Sequence, residues 1–159
     1  DPRKGWNYIE KLAKAYEADP SILFMCIGGA KAEQVANILY VPNITDKNIL
    51  AEHYGLSDVF LFTSLAENCP LVVLEAMSSG LPVVSFDVGG VPELVTHKTN
   101  GYIAKYKDGA DLLSGLKWIL GLSSDTCQEI ASSNRLKVIG KYSIVKMVDE
   151  YEKLFIHEK

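Results

Sequence analysis

The sequence predicts an α/β fold, a doubly wound parallel sheet with helices on both faces. Three observations carry that reading. Short apolar runs of strand length alternate with helical segments along the whole chain, a pitch that implies βαβ units. The clearest of these runs, Ile22 to Ile27, is continuously apolar, as suits a strand buried on both faces of a parallel sheet. Several runs stop at glycine, proline or asparagine, the punctuation expected where a strand leaves a sheet.

In chain order, Trp6, Ile9, Leu12, Ala13 and Tyr16 recur at helical spacing and predict an amphipathic helix over about 5–18, closed by Asp19-Pro20. Ile22–Ile27 is the first strand, ended by Gly28-Gly29. A short helix near 31–37 leads to a strand at Ile38–Val41, stopped by Pro42-Asn43. A helix near 46–56, capped by Thr45 or Asp46, precedes the strand Val59–Phe62. The next helix begins at Pro70, runs through Leu74 and Met77, and stops at Gly80 with Pro82 beyond it. Proline in the first turn and glycine just past the last are the expected asymmetry. Val83–Phe86 is a strand, Gly89-Gly90 a turn, Pro92–Val95 a short helix, and Asn100-Gly101 turns into a strand at Tyr102–Ala104. Helices near 109–121, 124–140 and 143–157 complete one domain over 1–159.

Composition limits the function classes. The 159 residues are 23% charged and 48% hydrophobic, which is the balance of a globular domain rather than a disordered tail. A net charge of −4, with lysine and arginine scattered, gives no field or arm to recruit nucleic acid. No apolar stretch approaches the roughly 18–20 residues a membrane span needs, and no signal-peptide pattern opens the sequence. Cys26, Cys69 and Cys127 form no C-x-x-C pair, which argues against a disulfide framework or zinc knuckle and for a reducing cytoplasm. His53, His97 and His157 are scattered and read as surface residues.

Ligands of open α/β sheets bind outside the carboxyl ends of the strands. The exits to inspect are Gly28-Gly29, Pro42–Thr45, Ser64–Pro70 and Asp87–Gly90. The third leads straight into the helix carrying Leu71-Val72-Val73-Leu74-Glu75. The first N–H groups of that helix have no internal partner, and its dipole adds partial positive charge, so a phosphate would be stabilised there. A helix that simply starts with water on those groups fits the same residues. Glu75 stands among apolar neighbours, where a carboxylate needs hydrogen-bond donors, and Glu67 can reach the same cleft from the loop. Two carboxylates flanking a positive helix terminus suit a ligand with a diphosphate in its middle and hydroxyls at each end. A Glu75–lysine pair and an exposed Glu67 are the plainer alternatives. Arg3 and Lys4 precede the first helix, where cations oppose the dipole, either for function or as a solvated pair offset by Asp1. There is no D-x-D, no Ser/His/Asp or Cys/His set and no G-x-G-x-x-G, so no metal site or nucleophile is expected.

These segments together resemble glycosyltransferase family 4, the glycosyl transferases group 1. The match lies in Ala66-Glu67-Asn68-Cys69-Pro70-Leu71-Val72-Val73-Leu74-Glu75-Ala76-Met77, continuing through Ser78-Ser79-Gly80 to Pro82-Val83-Val84. Asp87–Val95, Asn100-Gly101 and the opening Arg3-Lys4-Gly5 extend it over essentially the whole chain. The resemblance implies a Rossmann-like domain forming the C-terminal, sugar-donor-binding half of a retaining GT-B enzyme. It assigns the ribose hydroxyls to Glu75 and the transferred sugar near the reacting centre, a catalytic role, to Glu67. It assigns the diphosphate to the N–H groups of Leu71 and Val72 and to Lys4, and the base to Asn43 and Ile44. Neither metal nor cofactor is implied. The implied partners are a nucleotide-diphosphate sugar, UDP- or GDP-linked, and an N-terminal acceptor-binding half through which a membrane surface would be touched. Bacterial polysaccharide or glycolipid assembly is the implied setting, and a sugar-nucleotide-binding module without turnover of its own is the alternative. Two departures stand out. Pro70 occupies a position where many members carry glycine, removing an N–H donor, and the family's first strand, ending in Gly-Arg, would lie before residue 1.

Overall fold

In the computed structural model, which describes residues 1–156, Asp1 caps a single 3-10 turn over Pro2–Lys4. Gly5 then takes φ 65°, and a Cβ there would collide with the Thr63 backbone. Only glycine meets both demands, left-handed backbone and close approach. Helix α1 (Trp6–Ala15) follows and buries Leu12 and Ala13. It ends three residues before the expected 18, where Tyr16 and Glu17 turn back onto the carbonyls of Ala13 and Lys14.

Strand β1 (Phe24–Gly29) pairs in parallel with β3 (Ile38–Pro42). Between them stands a correction: residues 31–37 do not form a helix. Glu33–Val35 is a strand, β2, antiparallel to β3 and joined to it through Ala36 at φ 51° and Asn37. Ala30, Lys31, Ala32, Glu33 and Gln34 have helical propensity, but pairing with β3 overrides it. Asn37 Nδ2 donates to the Ala13 carbonyl at 2.9 Å, anchoring the hairpin to the end of α1.

Helix α2 (Lys47–Gly55) is capped by Asp46, which accepts from the N–H groups of Asn48 and Ile49. Strands β4 (Phe60–Phe62), β5 (Val83–Phe86) and β6 (Gly101–Ala104) form a second, all-parallel sheet in the order β4-β5-β6. Helices α3 (Leu71–Ser78), α4 (Val91–Leu94), α5 (Gly109–Leu120), α6 (Ser124–Tyr142) and α7 (Ile144–Ile156) complete the chain. The expectation for His157 lies outside the described residues.

The period-2 pleat divides the second sheet between two cores. Val84, Phe86, Tyr102 and Ala104 face α1 and α5 with Leu12, Leu112 and Leu116. Val83 and Phe62 face α3, α4 and α6 with Val73, Met77, Leu94 and Val138. Helices thus cover both faces, as the sequence predicts. Among the described residues, however, the strands form two three-stranded sheets rather than one, with no pairing between β1 and β4. Strand β1 is correspondingly not buried on both faces: Phe24 is buried, but Ile27 keeps 37% of its surface exposed.

Candidate active site at the β4 exit

Chain order separates Lys4 from Glu67 by two helices and four strands, yet the fold brings them together. Leu65 N–H donates to the Arg3 carbonyl at 2.7 Å, Ser64 Oγ to the same carbonyl at 3.3 Å, and Thr63 Oγ1 to the Lys4 carbonyl at 2.9 Å. These bonds dock the N-terminal turn on the end of β4. Lys4 Nζ then lies 3.8 Å from Glu67 Oε2, with the lysine side chain largely in solvent and the glutamate side chain three-quarters covered (25% exposed). Glu67 is therefore not a free loop acid. Arg3 does not share this role. It turns back to Asp1, Nη2 to Oδ2 at 2.8 Å, the local offset foreseen as the plainer alternative.

The loop from Ser64 to Pro70 is held at further points. Tyr106 Oη donates to the Leu65 carbonyl at 2.9 Å, and Gly90 N–H to the Asn68 carbonyl at 2.9 Å. The Asp87–Gly90 exit meets it closely enough that a Cβ on Gly89, at φ 51°, would run into the Glu67 backbone. A Cβ on Gly90 would fall 2.6 Å from the Asn68 carbonyl oxygen. Two of the four predicted exits are thus one structure, and rigid support of this kind is what a functional loop needs.

Helix α3 begins at Leu71, not Pro70. Pro70 is the buried N-cap residue, and its carbonyl accepts from Val73 and Leu74. No side chain caps the helix, so the N–H groups of Leu71 and Val72, on exposed residues, stand at its positive end without an intrahelical partner.

Glu75 is placed otherwise than its apolar neighbours suggest. Val73, Ala76 and Met77 take the buried face of α3, and Glu75 lies on the open face with Leu71, Val72 and Ser78. It forms no lysine pair among the described ion pairs; its partner is Tyr54, whose phenol donates to Oε2 at 3.2 Å. Burial, and secondarily the Glu75 charge, push the Tyr54 pKa well above that of an ordinary phenol. Tyr54 escapes a sequence reading because it meets Glu75 from another helix. The only visible signal is its place one turn after Leu50 on the inner side of α2.

Asn43 and Ile44 lie in the loop between β3 and α2, Asn43 exposed and Ile44 half-buried. They head the segment that delivers Tyr54 to Glu75. The Gly28-Gly29 exit instead borders a cleft of about 230 Å³ with Trp6, Cys26, Ile27 and Tyr40, where burial pushes the Cys26 thiol up to about 11. Among the described residues no three His, Cys, Asp or Glu side chains gather as a metal site, and no helix is long and apolar enough to cross a membrane.

The β4 exit thus gathers, on a Rossmann-like domain, an uncapped helix terminus, an adjoining Lys–Glu pair and a second glutamate one helical turn on. The chain belongs to the glycosyl transferases group 1, whose family model matches residues 2–121, and it has the fold of the C-terminal domain of a GT-B glycosyltransferase. An uncharacterized glycosyltransferase of Haemophilus influenzae is 30% identical over 94% of this chain and 44% of its own length. The UDP-Gal:alpha-D-GlcNAc-diphosphoundecaprenol alpha-1,3-galactosyltransferase of Escherichia coli is 35% identical over 63% of this chain and 25% of its own. The crystal structure of Anabaena HepE in complex with UDP superposes with a TM-score of 0.80 at 21% identity, covering 99% of this chain and 46% of that one. The chain therefore spans less than half the length of these relatives.

Proposed function

We propose that this chain is the sugar-donor-binding half of a retaining glycosyltransferase, gripping a UDP- or GDP-linked sugar at the β4 exit. The observation that carries the reading is the docking of Lys4 beside Glu67, immediately before the uncapped terminus of α3. In this reading Leu71 and Val72 N–H groups and Lys4 address the diphosphate, Glu75 the ribose hydroxyls, Glu67 the transferred sugar, and Asn43 and Ile44 the base. Breaking the bond between sugar and phosphate develops negative charge on the leaving diphosphate. Fixed N–H groups and an ammonium aimed at that charge lower the barrier more than they stabilise the bound ground state. The scheme requires neither metal nor cofactor. The UDP held by the Anabaena neighbour supports a nucleotide ligand, and the Escherichia coli relative supports a setting in bacterial surface polysaccharide or glycolipid assembly. The free thiols of Cys26, Cys69 and Cys127 suit a cytoplasmic enzyme.

A GT-B site closes between two halves, and the acceptor-binding half is the partner this reading requires. Helix α7 supports it by leaving Ile144, Val145, Met147, Leu154 and Phe155 more than half exposed, an apolar surface suited to a protein partner. The test is calorimetry on the 159-residue chain. UDP or GDP should bind about tenfold or more tightly than the matching monophosphate, a difference of roughly 1.4 kcal/mol. Equal affinities would remove the α3 terminus from the site. Alone, the chain should transfer no sugar, because no acceptor is positioned beside the donor. Transfer should return when the N-terminal half of a two-domain relative is added, and transfer at full rate without it would defeat the half-enzyme reading.

A further inference from the structure

We infer that Tyr54 is a positioning residue for nucleotide recognition, fixing the Glu75 carboxylate in the orientation that receives the ribose hydroxyls. The inference rests on the reading of Glu75 given above and goes beyond it, because it gives Tyr54 a role that acts through the Glu75 carboxylate.

Without Tyr54, Glu75 would be free to move. It projects from the open face of an eight-residue helix and has no ion-pair partner among the described residues. A glutamate in that setting samples several rotamers and loses that freedom when a ligand fixes it. The Tyr54 hydroxyl occupies one lone-pair direction of Oε2 at 3.2 Å. The remaining lone pairs of Oε2 and all of Oε1 stay open to accept from a vicinal diol. A carboxylate held at one oxygen is pre-organised in the sense that raises affinity by lowering the ordering cost.

Tyr54 is itself held. Its ring meets Phe60 edge to face, centroids 5.9 Å apart at 65°, and its helix is capped by Asp46. Burial and the neighbouring carboxylate both disfavour the phenolate, so the hydroxyl stays protonated and donating at any physiological pH. Helix α2 begins at Lys47, a short step after Asn43 and Ile44, so one continuous segment leads from the proposed base contact to the proposed ribose contact.

Tyr54→Phe removes the donor and keeps the ring on Phe60, which makes the test clean. The chain is titrated with whichever of UDP, GDP and ADP it binds most tightly, and with the 2′,3′-dideoxy form of the same nucleotide. Wild type should prefer the diol. Tyr54→Phe should weaken the diol nucleotide about three- to tenfold and leave the dideoxy nucleotide unchanged. In a Glu75→Gln background, adding Tyr54→Phe should do nothing further, since both act through one carboxylate. A structural defect would weaken both nucleotides alike, and that result overturns the inference. So does a wild-type preference lost in Glu75→Gln but intact in Tyr54→Phe. A wild type blind to the diol overturns instead the ribose role of Glu75, and failure to bind any of the three nucleotides overturns the donor site as a whole.

Discussion

Apart from the polar β2, the two sheets grow from strands of similar apolar character, yet they are buried very differently. Val83, Val84 and Phe86 of β5 expose nothing, and Tyr102 and Ala104 of β6 almost nothing. In the other sheet β2 is exposed throughout, β3 only half-buried, and β1 buried at Phe24 alone. The difference is one of neighbours. Strand β5 has a partner on each side and helices above and below, whereas β1 pairs on one side only. The exits divide in the same way. The tightly packed sheet carries Glu67, α3 with Glu75, and the Gly89-Gly90 turn that braces them. The looser one carries Asn43, Ile44 and the segment leading to Tyr54. On the proposed reading, the groups that would meet developing charge sit on the well-packed sheet, and the proposed base contact sits at the exit of the less buried one.

The largest expected effect separates the sheets by stability. Phe86→Ala empties a fully buried site between α1, α5 and the sheet and should cost about 3–5 kcal/mol in urea unfolding. Ile38→Ala, on half-buried β3, removes fewer contacts and should cost less than half as much. Equal losses would show that the first sheet is as firmly packed as the second, and the contrast would fall.

A second, smaller effect separates the two glutamates. Glu75→Gln should weaken free UDP or GDP by about tenfold, the loss of a charge-assisted hydrogen bond of roughly 1.5 kcal/mol. Glu67→Gln should change free-nucleotide affinity less than about twofold, because its Lys4 pair is solvent-exposed on the lysine side and such pairs contribute little. Its effect should fall on discrimination between the nucleotide and the nucleotide sugar. Calorimetry with both ligands decides it, and equal weakening of the bare nucleotide by the two variants would merge the roles kept apart here.

Much of this was legible in the sequence, and the part that was not has identifiable causes. Strands β4 to β6 and helix α3 follow from apolar runs and from the placing of Pro70, Gly80 and Pro82, since local pattern and tertiary packing agree there. The β2 hairpin was illegible because Lys31 to Gln34 suit a helix, and only pairing with β3 makes them a strand. The apolar run at β1 promises more burial than the fold gives it: apolarity reports what a strand can bury, not whether both neighbours are present. Glu67, Glu75 and the α3 terminus were visible from local chemistry. Lys4 acquired its role only through resemblance, because its docking on Thr63 and Ser64 is a contact between distant segments. Tyr54 is illegible for the same reason. Asn134 is illegible too: it lies buried in α6, where its Nδ2 donates to the Leu81 carbonyl at 2.8 Å and its Oδ1 accepts from Asn100.

The smallest expected effect is a pH dependence that again falls on one region. Asp111, in the first turn of α5, accepts from the Lys105 N–H at 2.8 Å and from the Tyr102 hydroxyl at 2.7 Å. Those two bonds, the backbone one first, hold its pKa below the ordinary aspartate value. A carboxyl whose folded pKa is depressed contributes stability that is complete above the unfolded pKa, near 3.9, and is lost as pH falls through the folded value. The loss therefore begins below about pH 4, and it loosens the junction of β6 and α5 in the well-packed half. Asp19 is also held low, by Ser21 hydroxyl and N–H donors, but it lies fully exposed in the turn before β1. Its protonation should open a local turn and leave global unfolding almost untouched. Urea midpoints measured from pH 7 to pH 3 should show Asp111→Asn less stable than wild type at neutral pH, with the two curves converging below about pH 4. Asp19→Asn should track wild type across the range. An acid limb flattened as much by Asp19→Asn as by Asp111→Asn would mean that the turn before β1 unfolds with the core.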